Sequence, residues 1–331
     1  MRMLRPRIGL RGADLALRRG GWAGTRVSSM NWAENWWGRL LVLFLLAVGA
    51  AIFFPINREA TQAGIPLLAF VFWQCAIGAA LLSIVLLLRG ERPPLSRADI
   101  RYYFVSGLLG ITAPYIALLY AAAHTPVGVL SLSLTLEPAF TYAVALPFLL
   151  ERFQPIRFTG LVLGIAGLML IVLPRASLPS SEMVPWVLLG LVAPFSWACW
   201  SNWAGKMSPP AASSLVLTWG FLVAASLLTL PAMLATESWW WFGSDFAGQG
   251  WMALALGVCN PFFWAIGLEC VRLAGPVFYS TWTFIGTPLT VGVAMVLYGE
   301  RLSPWIWGAL VLLLLSLHLV NRTPRALKPA R

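Results

Sequence analysis

The sequence has very little charge for its length. Only 11% of the 331 residues are Asp, Glu, Lys or Arg, whereas 59% are apolar. A soluble domain carries about 25% charged residues on average. The composition therefore argues against a soluble globular protein, and we expect no nucleic acid among its partners.

Residues that hold metals or phosphates are also scarce. His124 and His318 are too few and too far apart in the chain to build a zinc site. The four cysteines all fall inside apolar runs and form no C-x-x-C pair, so they are interpreted as small buried side chains. No Gly-rich Walker loop is present to couple the protein to ATP hydrolysis. We expect no metal and no cofactor.

What the sequence does have is ten apolar runs, each close to the ~20 residues that a membrane helix needs. They predict an all-α polytopic membrane protein with ten transmembrane helices joined by short links. The predicted spans are 38–56, 65–88, 101–122, 126–149, 156–174, 184–205, 214–235, 249–271, 276–298 and 302–320.

Two stretches of the chain resemble each other. The segment from Leu136 to Pro174 and the one from Gly286 onwards both contain an apolar run, then Glu-Arg-apolar-x-Pro, then a second apolar run. A second pair supports the match, LGITAPY at 109–115 and LGVCNPF at 256–262. This pattern predicts an internal repeat, with a first repeat at 37–178 and a second at 179–322.

The distribution of basic residues predicts the orientation. With the N-terminus inside, 20 of the 23 Lys and Arg lie on the inner side, and Arg58, Arg175 and Arg301 lie outside. Basic residues concentrate on the cytoplasmic side, so both termini are predicted to be cytoplasmic in a cell inner membrane. Five spans per repeat is an odd number. The two repeats are therefore predicted to be inverted, an architecture typical of transporters.

Both ends of the chain are basic. Residues 1–36 carry seven Arg against Asp14 and Glu34, and 323–331 form a second basic tail. Three interpretations of the first segment stay open: a cytoplasmic tail on anionic lipid, a transit peptide, or an upstream extension of a protein that starts at Met30.

From about 37 to 322 the chain resembles EamA-type members of the drug/metabolite transporter superfamily. The resemblance rests on the two five-helix halves, the LEPAF segment at 136–140, the SWACW segment at 196–200 and the Glu-Arg turns. It implies a secondary transporter that exports or exchanges amino acids, nucleosides, sugars, drugs or sugar phosphates. The second helix departs from the family pattern, with Trp73-Gln74 where an Arg is common.

Glu137 is the first candidate for substrate binding or proton coupling. It lies near the middle of the fourth span, where a carboxylate costs about 2.5–3.5 kcal/mol unless it is paired, hydrated or protonated. The alternative is a protonated Glu hydrogen-bonded to a neighbouring helix. Its neighbour Pro138 frees a backbone carbonyl one turn earlier.

Pro114 and Pro261 occupy equivalent places in the two repeats and predict paired kinks or hinges that shape a cavity. The polar and aromatic residues near them or on facing helices are candidates for the cavity wall: Tyr115, Asn260, Trp197, Asn202 and Trp282. Gln74 is a further mid-span polar residue, with helix–helix hydrogen bonding as the alternative.

Glu269 and Arg272 are spaced i, i+3 near the inner end of the eighth span and predict an interfacial ion pair or gate. Gly160, Gly164 and Gly167 form a small-residue face, which indicates helix packing within the bundle or in a homodimer.

Together these features predict a secondary active transporter. It is expected to export a small metabolite such as an amino acid by alternating access, with membrane lipids and a coupling proton as its other partners. A non-transporting scaffold or a membrane-embedded lipid enzyme is the alternative. Clustered acid, base or nucleophile side chains at one depth would indicate an enzyme, and only Glu137 is deeply placed.

Overall fold

A computed structural model describes residues 36–147, 153–172, 181–299 and 304–320. This part of the chain is helical, with no strand. The helices are α1 (Trp36–Gln62), α2 (Leu67–Arg89), α3 (Arg97–Ala122), α4 (Val127–Ser133 followed by Leu134–Leu136 and Glu137–Ala145), α5 (Pro155–Val172), α6 (Val184–Met207), α7 (Ser214–Ala235), α8 (Phe246–Ala274), α9 (Pro276–Tyr298) and α10 (Pro304–Val320).

Seven of these helices are long and apolar enough to cross a membrane: α1, α2, α3, α6, α7, α8 and α9. Three shorter apolar segments lie in α4, α5 and α10, at Val129–Ala145, Pro155–Gly167 and Pro304–Ser316. The molecule is therefore an all-helical membrane protein with seven candidate spans among the described residues. The Glu-Arg turns at 151–152 and 300–301, the N-terminal segment and the C-terminal tail lie outside those residues.

Local sequence signals set several helix ends. Ser96 accepts a hydrogen bond from the Asp99 N–H at 3.3 Å, and the Asp99 carboxylate accepts one from the Ser96 N–H at 3.1 Å, a capping box that begins α3. Ser213 caps α7 through the Val216 N–H. Gly90 ends α2 with φ +67°, a left-handed conformation that favours glycine.

Two helices contain irregular turns close to the centre of the bundle. The segment Leu108–Thr112 of α3 is π-helical and ends two residues before Pro114. In α4 the segment Leu134–Leu136 is a 3-10 turn that precedes Glu137 and Pro138. Proline cannot donate a backbone hydrogen bond, so a change of helical pitch just before it is expected.

The pattern of helix contacts repeats with an offset of five helices. When five is added to or subtracted from the number of each helix in a contacting pair, the result is nearly always another contacting pair. α1 packs on α9 as α6 packs on α4, and α2 packs on α8 as α7 packs on α3. The pairs α2–α7, α4–α9 and α5–α10 are their own counterparts and also pack together. The two halves therefore interlock rather than stand side by side.

The glycine face of α5 is used inside the bundle. A Cβ on Gly164 would lie 2.8 Å from the Ser316 hydroxyl, and one on Gly167 would lie 2.9 Å from Leu313. The Ser316 hydroxyl donates to the Gly160 carbonyl at 2.5 Å. Small residues let α5 and α10 approach closely, which is the intramolecular alternative of the two that the sequence left open.

Candidate functional site

A cavity of ≈ 280 Å³ lies between the two halves of the bundle. Its walls come from α1 and α3 of the first half and from α6, α8 and α9 of the second. Of the predicted site residues, Tyr115, Trp197, Asn260 and Trp282 line it. Glu137 and Asn202 are not among its lining residues.

The cavity wall is apolar and aromatic. Its lining residues include Phe53, Tyr115, Trp197, Trp264 and Trp282, and none is an Asp, Glu, Lys or Arg. Trp264 is the centre of the aromatic group, because it meets Trp200 edge-on at 4.9 Å between ring centroids. Aromatic rings of this kind bind flat apolar groups well, and the described wall offers no charged side chain to pair with an ionised ligand group.

Asn260 supplies an amide to this wall. Its side-chain N–H donates to the side-chain carbonyl oxygen of Gln74 at 3.0 Å, and Gln74 is fully buried on α2. The helices approach closely here, since a Cβ on Gly78 would lie 2.8 Å from the Pro261 ring. The carbonyl oxygen of Asn260 has no hydrogen bond within the described part of the chain, so it is free to accept one from a ligand.

Two indole groups fix the aromatic wall in place. The Trp264 N–H donates to the Tyr115 hydroxyl at 3.0 Å, which leaves the Tyr115 hydroxyl proton for a ligand. The Trp197 N–H donates to the Gly110 carbonyl at 2.9 Å, within the π-helical turn of α3. That turn therefore joins α3 to α6 beside the cavity.

Glu137 lies next to the cavity but not in it. Its side chain is fully buried, and neither carboxylate oxygen has a hydrogen-bond partner of regular geometry in the described residues. The indole N–H of Trp282 lies near the carboxylate, but its geometry is not that of a regular hydrogen bond. The Tyr279 side chain is also close enough to interact electrostatically with Glu137. Trp282 and Tyr279 line the cavity, so Glu137 is separated from it by one layer of side chains.

An ionised carboxylate without a partner is very costly to bury. This site is stable only when the group carries a proton or is paired with a cation.

Asn202 has a different place from the predicted one. Its amide donates to the Thr141 carbonyl at 3.0 Å and to the Ala198 carbonyl at 2.8 Å, and its side chain is fully buried. Thr141 in turn donates to the Glu137 carbonyl at 2.8 Å. Asn202 thus ties α6 to the segment of α4 that carries Glu137.

Comparisons with known proteins agree with this fold. Residues 36–173 match the family described as the EamA-like transporter family. The chain is 26% identical over 303 residues to the uncharacterized transporter YvbV of Bacillus subtilis, covering 88% of this chain and 93% of that protein. Over residues 36–173 the chain therefore resembles the EamA-like transporter family.

Other relatives of this chain are also named as transporters. It is 28% identical over 193 residues to the pseudopaline exporter CntI of Pseudomonas aeruginosa, covering 57% of this chain and 65% of the exporter. It is 24% identical over 284 residues to a riboflavin transporter of Brucella anthropi, covering 82% of this chain and 94% of that transporter. The family and these names indicate a transporter rather than an enzyme.

A solved crystal structure shares the fold. It superposes with a TM-score of 0.58 at 19% identity, over 86% of this chain and 96% of its own.

The two prolines predicted as paired kinks differ in their local helix type. Pro114 follows the π-helical turn Leu108–Thr112, whereas Pro261 lies inside the regular helix Trp251–Ala274. Pro261 instead packs against Gly78 of α2. Pro138 follows the 3-10 turn of α4, next to Glu137.

Glu269 and Arg272 form a loose pair, with 3.9 Å between Oε2 and Nη1. The Ser214 hydroxyl on α7 joins them, since it donates to Glu269 and accepts from Arg272 at 3.1 Å. A second cavity of ≈ 430 Å³ lies beside Glu269 and shares Phe262 and Ile266 with the first. Glu269 therefore lines a cavity that is a neighbour of the central one.

Sequence reasoning missed the α1 wall, because Leu45, Gly49, Ile52, Phe53 and Phe54 look like any apolar span. It also missed the role of Trp73, whose indole donates to the Trp240 carbonyl at 2.7 Å and whose ring packs on Trp241 at 4.8 Å. Trp73 holds the loop after α7 onto α2. In the described residues no three His, Cys, Asp or Glu side chains cluster as metal ligands would.

Proposed function

We propose that this protein is an EamA-type secondary active transporter that exports a small amphipathic metabolite across the inner membrane by alternating access. One observation carries the proposal: the central cavity takes its walls from both halves of the chain. A site at the boundary between two repeats changes its access when the repeats rock against each other. The relative named as a pseudopaline exporter supports the outward direction.

Two inverted five-helix repeats are an architecture that suits this mechanism. Matching helix contacts support a two-fold relation between the halves: the α1–α9 contact corresponds to α6–α4, and the α2–α8 contact corresponds to α7–α3. The excess of basic residues on one side supports cytoplasmic termini. Together they support opposite orientations of the two halves.

Glu137 is proposed to couple transport to a proton. A buried carboxylate without a regular partner can take up and release a proton as its surroundings change. Trp282 and Tyr279 line the cavity and interact with Glu137, so a substrate that moves either ring alters the environment of the carboxylate.

The Glu269–Arg272 pair is proposed as the inner gate. Ser214 ties it to α7, so separating α8 from α7 breaks both of its hydrogen bonds to the pair. The pair is partly exposed, with 21% of the Arg272 side chain and 43% of the Glu269 side chain accessible. Partly exposed ion pairs contribute little stability, which suits a contact that must open.

The cavity wall favours a substrate with an apolar or aromatic body and one or two polar groups. Asn260 and Tyr115 offer an acceptor and a donor, and no charged side chain lines the wall. The name of the riboflavin-transporting relative is consistent with aromatic cargo. Aromatic amino acids meet the same description in their side chains, so amino-acid export stays a prediction.

The experiment compares small molecules in the medium and in cells that express the wild-type chain, Asn260→Leu, or neither. Wild-type expression should raise a small set of amphipathic compounds in the medium, and Asn260→Leu should weaken that change. Asn260→Leu protein must reach the membrane at the wild-type level for the comparison to count.

Identical metabolite profiles in all three cultures would favour the scaffold alternative. A homodimer is not needed to complete this site. The mass of the purified protein in detergent, measured by light scattering, decides whether one forms.

A further inference from the structure

The central cavity has an opening in its side wall, between α1 and α8. Among its lining residues are Leu45 and Ile52 of α1 and Phe262 of α8, which are 46%, 47% and 50% exposed. Cys259 of α8 lines the cavity and is exposed as well. A residue that both lines a cavity and is half-exposed stands at an opening of that cavity.

The position of these residues along their helices puts the opening in the hydrocarbon. At 1.5 Å rise per residue, Ile52 lies about 24 Å from Trp36 and about 15 Å from Gln62. Cys259 lies about 12 Å from Trp251 and about 22 Å from Ala274 by the same measure. Both are well inside spans that are long enough to cross a membrane.

The chemistry of the opening fits lipid and not water. Leu45, Ile52, Cys259 and Phe262 carry no formal charge and no strong hydrogen-bonding group. An aqueous entrance at this depth would require polar side chains to hold water. At Gly49 the two helices are in close contact, because a Cβ at that position would lie 2.7 Å from the Phe263 ring, so the Phe263 ring narrows the opening there.

We propose that the gap between α1 and α8 is a lateral portal, through which uncharged aromatic molecules dissolved in the bilayer enter the central cavity. The proposal rests on the proposed function and deepens it by assigning the substrate class and its route. Molecules of this kind partition into the bilayer, so the membrane itself concentrates them at the portal. The Asn260 amide and the Tyr115 hydroxyl then hold the polar end of the molecule.

The test uses photolabelling in liposomes. The probe is a neutral aryl diazirine, 3-trifluoromethyl-3-(iodophenyl)diazirine, which dissolves in lipid and inserts into nearby side chains on illumination. Mass spectrometry of peptides then locates the label. The wild-type protein should be labelled at buried cavity residues such as Trp197 and Asn260, and at lipid-facing residues.

Ile52→Trp fills the portal from α1, and Cys259→Trp fills it from α8. Each should lower labelling of the buried cavity residues several-fold and leave labelling of α10 unchanged. Leu227→Trp is the matched control, because Leu227 is 50% exposed on α7 and does not line the cavity. It should leave the labelling pattern as in the wild type. Melting curves check that each variant is folded. If one of the two portal variants does not fold, the other still tests the proposal.

Two outcomes overturn the portal. One is cavity labelling that is unaffected by both folded portal variants. The other is cavity labelling by a membrane-impermeant, sulfonated aryl diazirine added from the water, as strong as that by the neutral probe. Labelling needs no transport, so the result separates failure of the portal from failure of the proposed function.

Discussion

At the scale of single residues, the buried polar groups of this bundle divide into paired and unpaired ones. Asn260 and Gln74 form a pair across α8 and α2, and Asn202 bridges α6 and α4. The carboxylate of Glu137 has no regular partner in the described residues. Paired groups hold helices together, and an unpaired ionisable group is costly unless function requires it.

The Asn260–Gln74 hydrogen bond is expected to stabilise the α2–α8 contact. Gln74→Leu leaves the Asn260 amide buried without its partner, which typically costs about 1–3 kcal/mol in water-soluble proteins and averages about 0.6 kcal/mol for such bonds in membranes. Asn260→Leu should behave likewise. Thermal unfolding in one detergent measures both single variants and the double variant.

The double variant should be closer to the wild type than the sum of the single losses, because both polar partners are then gone. Strict additivity would mean that the two amides do not interact.

Glu137→Gln is expected to fold normally and to lose proton coupling. The amide keeps the size and hydrogen-bonding capacity of the acid and cannot titrate. Gradient-driven transport in liposomes should fall by about an order of magnitude or more, and its pH dependence should flatten over about pH 5.5–8.

Glu137→Ala serves as the packing control, since it removes volume next to Trp282. It should lower the melting temperature more than Glu137→Gln does. Wild-type transport with an unchanged pH profile in Glu137→Gln would remove this carboxylate from the mechanism.

At the scale of helices, glycine decides how closely neighbours approach. A Cβ on Gly257 would lie 2.7 Å from Ile77 of α2 and 3.4 Å from the backbone carbonyl oxygen of Gln74. Gly292 on α9 has nothing within 4 Å of such an atom. The first glycine is needed for the α2–α8 contact and therefore for the place of Asn260, whereas the second is not.

Gly257→Ala is expected to destabilise the protein by about 1–3 kcal/mol, because Ile77 must shift and the Asn260–Gln74 hydrogen bond is strained. Gly292→Ala is the matched control. It should be neutral or stabilising by about 0.4–1 kcal/mol, since alanine restricts the unfolded chain more than glycine does. Melting temperatures of the two variants test this, and equal values would show that the α2–α8 contact tolerates an added methyl group.

Helix positions followed closely from hydrophobic run lengths, but helix faces did not. Trp197 and Asn202 were both predicted to face the cavity, yet five residues turn an α-helix by about 500°, so the two side chains point about 140° apart. Trp197 lines the cavity and Asn202 packs on α4. The α1 residues of the cavity wall could not be predicted for a related reason. In the sequence, an apolar residue that faces a cavity cannot be distinguished from one that faces lipid.

At the scale of the whole molecule, the two halves determine what the cavity can do. α1 and α3 contribute one side, and α6, α8 and α9 the other, so any relative movement of the halves changes access to Asn260 and Tyr115. The 20-to-3 division of basic residues predicts which end of the bundle faces the cytoplasm, and so predicts the direction of the proposed movement.

Reporter fusions test the inverted arrangement. Fusions after Arg331 and within 89–100 should report the cytoplasm, and a fusion within 238–247 should report the outside. The α7–α8 loop is the most informative position, because it belongs to the second half while 89–100 belongs to the first. If the halves were parallel, the second half would reverse, and 238–247 would report the cytoplasm. A cytoplasmic signal there, from a protein that is stable in the membrane, would contradict the inverted repeats.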